Sequence, residues 1–546
     1  MESSTACSPS GPEAKARNSS ESAQSRMPVD YGDLMRAIVI GSGFGGLAAA
    51  IRLAAAGHET IVIEKQDRIG GRAYLYELDG FRFDGGPTVI TAPFMFEELF
   101  ALAGERLEDH VQLVPLDPFY RAFDQDGTHF DFHADPARMQ QEVARRSPAD
   151  ERGYTRLRGR VSRIFDAFYP YTERPMMQLH VMMRMLPFLL RHRAALGVQR
   201  LVDGCIRDPF LRRALAFHPL LIGGHPARTP ALYSLIVEFE RRWGVHYAVG
   251  GTAAIVDALG ALLQRLGGRI ECGVAVERIL VRSGRAAGVR LEDGTELDAD
   301  VVVSNADPGY TYESLLGPAN GLTALRMRTA RPSMSLHVLY FGADRTWPDT
   351  PLAHHNLLLA GDSRRVLGRV FGRSKRERAK GREPLSADDL FLYVHLPTRT
   401  DPSVAPEGCE AMYVLVAAPP LDDGEQVSED AARRVRDLVV GALDERYLPG
   451  LTSHLVVEHA IGPEHFRDVL NTPRGAAFSL QPTLFQSGWF RPHNRSPRVD
   501  GLYLVGAGTH PGAGIPAVLA SGKIAANLIG RRASDPSTHP AARAHR

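Results

Sequence analysis

The sequence predicts an α/β protein, and three stretches predict it. The first is a strand, glycine turn, helix and strand over Arg36 to Lys65. The second is a strand, glycine loop and helix over Gly501 to Ile529. The third is the apolar run Val301-Val302-Val303, which belongs with the other two in one parallel sheet.

In the first stretch, Ala37 to Ile40 is apolar, long enough for a buried parallel strand and too short for a helix. Gly41, Ser42, Gly43, Phe44, Gly45 and Gly46 follow as G-x-G-x-x-G, and Leu47 to Ala56 is an alanine-rich helix. Without side chains there, the backbone can approach a pyrophosphate, and the helix start offers free N–H groups and the positive end of a dipole. The strand Thr60 to Ile63 ends at Glu64, whose carboxylate is placed to accept from a ribose hydroxyl, with Lys65 beside it. These are the marks of a dinucleotide site, and NAD and FAD both satisfy them. Gly70-Gly71-Arg72 and, after a hairpin turned at Asp79-Gly80, Phe83 to Thr88 with Gly86-Pro87-Thr88 favour FAD. A second glycine turn suits a larger cofactor, and Arg72 can offset its phosphate charge.

Across 546 residues the net charge is +1 and 44% of residues are hydrophobic, so two or three domains are expected and no nucleic acid partner is. Cys7, Cys205, Cys272 and Cys409 are scattered without metal spacing, so no metal site is expected. Reduced thiols also fit a cytoplasmic protein. Residues 1–34 read as a disordered leader and 533–546 as a disordered tail. No apolar window is long enough to span a bilayer.

Phe94 to Gly104 reads as a short helix, and Val111 to Phe132 as strands around turns at Asp117-Pro118 and Asp126-Gly127. Residues 150 to 243 carry helical periodicity, which Pro170, Pro175, Pro187, Pro209, Pro219 and Pro230 are expected to break into short or kinked pieces. Between Arg152 and Arg213 there are thirteen Arg, no Lys and four acids, a local excess of +9. Embedded there, Met176 to Leu190 is greasy and Met-rich, interrupted by Arg184 and followed by Arg191-His192-Arg193. An apolar face with basic flanks suits the surface of an anionic bilayer, and equally an adaptable tunnel wall or a core helix. Thr252 is placed to cap a helix from Ala253 to Leu266. A strand is expected to end near Val276, and a hairpin to turn at Asp293-Gly294. Later β-prone runs are Leu336 to Phe341, Leu390 to His395 and Ala411 to Val416, with a helix from Glu429 to Tyr447. The basic run Arg364 to Arg382 reads as a solvated loop.

In the closing stretch, Gly506, Ala507, Gly514, Ile515 and Pro516 form a glycine loop and helix start whose dipole suits developing negative charge. Together with Gly41 to Gly46, Gly70 to Tyr74, Phe83 to Ile90, His218 to Gly224, Trp243 to Val245, Gly250 to Thr252 and Phe485 to Asn494, it resembles the bacterial-type phytoene desaturases of the flavin amine-oxidase-like superfamily. That resemblance implies FAD, with Glu64 on the ribose and Val276 offering backbone to the adenine. It implies a hydrophobic polyene substrate, hydride transfer to flavin N5 with proton loss, and quinone or oxygen as electron acceptor. It also implies a cytoplasmic protein held peripherally at the membrane surface. Family members often carry an Arg-Asp pair at the helix matching His180-Val181; here Val181 replaces the acid and Arg184 matches the arginine. No catalytic Asp carries over, so the proton acceptor stays open: Arg184 and Glu240 are the catalytic candidates, Glu240 also being readable as an ordinary helix ion pair, and water or the flavin could equally take the proton. An isomerase using FAD without net oxidation and a flavin-free prenyl-lipid carrier remain alternatives.

The expected architecture is therefore a discontinuous Rossmann-like FAD-binding domain (35–105, 245–315, 489–532). A mixed-sheet substrate domain (106–149, 316–488) and a helical membrane-facing region (150–244) complete it.

Overall fold

The computed structural model describes residues 34–317, 321–372, 386 and 389–533. The readings made for residues 1–33, 373–382 and 534–546 lie outside the described residues.

Five parallel strands form the first sheet: β1 (Arg36–Ile40), β2 (Glu59–Ile63), β9 (Arg269–Glu271), β13 (Val301–Ser304) and β19 (Leu502–Leu504). Their order is β19-β13-β1-β2-β9, so the sheet draws neighbours from both ends and the middle of the chain. β1 is central, and Ala37, Ile38 and Val39 are inaccessible to solvent. Burial on both faces is why β1, β2 and β13 read as apolar runs, whereas the edge strand β9, Arg-Ile-Glu, does not. Each such Val or Ile contributes about 1.5–3 kcal/mol on burial. Helix α1 (Phe44–Ala55) starts three residues earlier than the alanine pattern indicated, immediately after Gly43. The C-terminal helix Ile515–Ala533 lies against it so closely that a Cβ on Gly522 would come within 2.9 Å of the Gly45 carbonyl.

The second sheet is mixed and seven-stranded, in the order β18-β14-β17-β16-β15-β6-β7. Its members are β6 (Tyr120–Phe123), β7 (His129–Phe132), β14 (Ser335–Ala343), β15 (His355–Leu358), β16 (Leu392–His395), β17 (Glu410–Ala418) and β18 (Leu455–Ile461). β15 and β6 run parallel, and the other pairs antiparallel. Helix Glu429–Arg446, capped by the Ser428 hydroxyl, packs Val439 and Leu443 with this sheet. Smaller ribbons are β3 (Leu75–Leu78) with β4 (Phe81–Asp84), β5 (Leu113–Pro115) with β8 (His246–Ala248), and β10 (Val276–Arg282), β11 (Arg285–Leu291) and β12 (Glu296–Asp298).

Helix α2 spans Phe94–Ala101 and α3 Pro136–Arg146. The region after Asp150 is helical: α4 (Glu151–Thr172), α5 (Leu179–Arg191), α6 (Val198–Asp203), α7 (Pro209–Leu215) and α8 (Leu235–Trp243). Two prolines expected to break it do not. Pro170 lies in the last turn of α4 and Pro187 inside α5. Helix α9 (Thr252–Arg265) includes Thr252 rather than being capped by it: the Thr252 hydroxyl donates to the Pro87 carbonyl at 2.6 Å. The buried Asp84 carboxylate takes the Ala253 N–H instead, at 3.3 Å. Val276 begins β10, whereas the strand expected to end there, β9, stops at Glu271. Of the basic run, the described part is a helix, Ser363–Val370, not a loop. Among the described residues no helix is long and apolar enough to cross a membrane.

Candidate active site

The glycine turn after β1 and the one after β19 meet. A Cβ on Gly45 would lie 2.9 Å from the Gly506 backbone nitrogen, so nothing larger than glycine fits where the two loops touch. Gly43 bridges to Gly70, which brings the Gly70-Gly71-Arg72 turn alongside. At the end of β2, Glu64 is buried, and its carboxylate accepts from the Ser42 N–H at 2.8 Å, the Ser42 hydroxyl at 2.6 Å and the Gln66 N–H at 3.0 Å. A carboxylate offers about four acceptor positions, so one remains for a ribose hydroxyl. Converging glycine backbones, a helix start and a buried acid at the second strand's end form a cradle that fits a dinucleotide.

From this cradle a cavity of about 350 Å³ runs on between the two sheets. One end is lined by Gly43, Gly45, Gly71, Arg72, Gly86, Pro87, Thr88, Gly506, Ala507, Gly514, Ile515 and Pro516. The other is apolar, with Phe217, Leu220, Leu235, Phe239, Met334, Leu336, Val338, Leu357, Phe391, Leu415 and Ile461 among its walls. Mixed strands supply that wall because β14 and β17 each turn alternate side chains toward it, and β15 adds Leu357. Arg72 is partly buried, its Nε donating to the Ala477 carbonyl at 2.8 Å. Burial lowers its pKa, and nearby Asp307 opposes that shift.

Among the described residues lining the cavity, Glu240 is the only carboxylate. It projects from α8 and is 1% exposed. The Tyr120 hydroxyl donates to its Oε1 at 2.9 Å, and His218 Nε2 lies 2.9 Å from Oε2. The helix ion pair read as an alternative for this residue belongs to Glu238, which pairs with Arg241 and Arg242. Burial, reinforced by Glu240, raises the pKa of Tyr120 and keeps its phenol protonated. Thr88 is held by the hydroxyls of Tyr393 at 2.7 Å and Tyr413 at 2.9 Å, and Tyr413 also donates to the Gly86 carbonyl. These bonds fix the Gly85-Gly86-Pro87-Thr88 turn to the second sheet.

Several predicted residues lie beside the cavity rather than on its wall. Gly41 donates to the Ile63 carbonyl, Ser42 binds Glu64, and Gly46 packs under the turn against the Gly41 carbonyl. Lys65 is partly exposed, near Glu64, Glu292 and Asp468. Val276 is buried in an apolar cluster opposite Leu291, two residues beyond Val274, whose N–H donates to the Glu64 carbonyl at 3.0 Å. Arg184 is exposed on α5 and does not line the cavity. The inward side of that helix is taken by Met185, so the structure does not bring Arg184 to Glu240. His510 also stays off the cavity wall: its Nε2 faces the carbonyls of Tyr171 and Arg174, and burial lowers its pKa to about 4.

Two residues in the site carry roles the sequence reading did not give them. Asn305, at the end of β13, reaches the Gly43, Gly45 and Gly506 turns together. Its signal was its place after a parallel strand, where ligands of such sheets gather. Arg491, 1% exposed, donates to the Ala507 carbonyl at 2.6 Å and the Thr509 carbonyl at 3.2 Å, holding the closing loop.

Comparison with known proteins agrees with this geometry. The family described as flavin containing amine oxidoreductase matches residues 44–530. A lycopene-forming phytoene desaturase of Pseudescherichia vulneris is 43% identical over 91% of this chain and 99% of its own length. A neurosporene-forming phytoene desaturase of Rhodobacter capsulatus is 42% identical over 90% and 94%. Among solved structures, cyclohexylamine oxidase from Brevibacterium oxydans superposes with a TM-score of 0.58 at 15% identity, covering 92% of this chain and 100% of that one, which shows a shared fold. The chain belongs to the flavin containing amine oxidoreductase family and, within it, to the bacterial phytoene desaturases.

Proposed function

We propose that this protein desaturates a long hydrocarbon polyene of the phytoene type, with Glu240 as the group that manages the departing proton. The observation that carries the reading is the single cavity that joins the glycine-lined cradle to an apolar channel containing one carboxylate. Bound in the cradle, FAD supplies the hydride acceptor, and a quinone or oxygen is the proposed final electron acceptor.

The chain's residues do the rest. A hydrocarbon offers no heteroatom, so orientation comes from the shape of the walls set by Phe217, Phe239, Leu336 and Leu415. Losing a hydride and a proton from adjacent carbons leaves a new double bond, and the proton needs an acceptor in a site that excludes water. Glu240 is placed for that role, with Tyr120 and His218 fixing both carboxylate oxygens.

Burial from water yields about 0.8 kcal/mol per CH₂, but a substrate drawn from lipid gains almost none of it. Delivery therefore favours an enzyme resting on the bilayer. On α5, Leu179, Met183, Leu186 and Leu190 share one stripe and are 40–66% exposed, flanked by exposed Arg184, Arg191 and Arg193. An apolar stripe bordered by arginines suits the headgroup region of an anionic membrane, and it gives Arg184 a place outside the chemistry.

The test is Glu240→Gln assayed on phytoene in liposomes. Turnover is expected to fall about 10²–10⁴-fold while flavin content stays at the wild-type level. Undiminished turnover would remove Glu240 from the mechanism, and unchanged phytoene mass with the wild-type protein would overturn the desaturase reading.

A further inference from the structure

Behind the wall of the cavity, β15 and β16 carry a histidine cluster for which the desaturation chemistry has no use. His355 and His395 face each other across the two strands, and His354 precedes β15. All three are buried, His355 and His395 completely. Their rings pack 4.5, 4.7 and 5.0 Å apart, and one nitrogen from each lies within 4.8 Å of the others.

The hydrogen bonds sort the ring nitrogens. His354 Nδ1 is held by the Thr400 hydroxyl at 2.7 Å and His355 Nδ1 by the Tyr393 hydroxyl at 2.8 Å. Their Nε2 atoms remain: that of His354 lies 2.9 Å from His395 Nε2, and that of His355 has no partner among the described residues. Tethering one imidazole nitrogen by an outer hydrogen bond while the other stays available is the usual setting of a metal-binding histidine. A histidine pair joined only by its own hydrogen bond accounts for His354, but it leaves two buried nitrogens, His355 Nε2 and His395 Nδ1, without a partner among the described residues.

We propose that His354, His355 and His395 form a three-imidazole site for a first-row transition-metal cation of the Zn²⁺ type. Zn–N bonds of about 2.0–2.1 Å place tetrahedral ligand atoms about 3.3 Å apart, so the His354–His395 pair at 2.9 Å opens slightly while separations of up to 4.8 Å close. Imidazoles without carboxylate or amide oxygens select Zn²⁺, Cu²⁺ or Ni²⁺ over Mg²⁺ and Ca²⁺. Negative charge stands one ring away: Tyr247 packs on His354 at 4.8 Å and its hydroxyl donates to Asp401 at 3.3 Å. The site would pin β15 to β16 and, through Tyr393 and Thr88, steady the turn at Gly86.

The experiment uses tag-free, full-length, flavin-loaded protein, stripped with a chelator, incubated with Zn²⁺ and desalted before elemental analysis. About one Zn²⁺ per chain is expected to remain, and Co²⁺ in its place should give the visible bands of a four-coordinate ion. His355→Gln and His395→Gln should each lose the ion. Flavin absorbance reports whether a variant has folded. Where it has not, X-ray absorption of the Zn²⁺-loaded wild type counts the imidazole ligands directly. No retained Zn²⁺, a ligand set other than three imidazoles, or folded variants that hold Zn²⁺ as well as the wild type would each overturn the site.

Discussion

At Gly45 the backbone of one loop rests on the backbone of another 461 positions later, with 2.9 Å between a would-be Cβ and the Gly506 nitrogen. Gly45→Val is accordingly expected to give protein without bound flavin, read as loss of visible absorbance in the purified chain; normal colour would show that the loops part without harm. Some residue placements were legible in the sequence because they depend on neighbours only a few positions away. Glu64 follows its strand directly, and the Gly41 to Gly46 turn carries its own spacing. Glu240 was legible as a candidate, but its partners were not, since Tyr120 and His218 reach it across 120 and 22 residues. Arg184 was misplaced for a related reason: the resemblance supplies a position along a helix but not the face that turns inward.

The elements were read best where burial imposes one period. β14, β16 and β17 each sit on the β-prone runs, because strands inside a sheet must be apolar on at least one side. Boundaries governed by distant partners were lost. Thr252 resembles a cap, yet its hydroxyl is claimed by Pro87 and the capping falls to Asp84, 169 positions away. Prolines 170 and 187 stay inside helices with their rings exposed, Pro170 in the last turn of α4, and each removes one backbone donor without ending its helix there. Helix α5 shows apolar side chains outward, which composition alone could not distinguish from a core helix or a tunnel wall. Replacing Arg191 and Arg193 together by Glu should release the protein from anionic liposomes in a flotation assay, with binding to neutral vesicles less affected. Unchanged flotation would reject α5 as the membrane face.

For the whole molecule, acid is the expected weakness. Burial lowers the pKa values of His225, His337, His465 and His510 to about 4, against 6.5 for the free side chain. Between those values the unfolded chain takes up protons the native one refuses, so their contribution is complete above pH 6.5 and falls as pH drops toward 4. Asp84, its pKa raised to about 6 by burial, and Asp307, also raised by burial, work the other way, two groups against four. The urea midpoint should be lower at pH 5.5 than at pH 7.5; an equal or higher midpoint would contradict this balance. The overall α/β architecture was legible because its sheets announce themselves locally, whereas the joining of the glycine turns to an apolar channel depends on pairing that no local pattern contains. One outcome of that pairing concerns birth rather than catalysis. β19 and the helix that follows it lie in the last 45 residues of 546, and they complete the first sheet and the cradle's second wall. At about 5–20 residues per second, translation needs roughly 25–100 s to reach them. A nascent chain therefore has no finished pocket until β19 and the helix after it have been made, and flavin binding has to follow their synthesis.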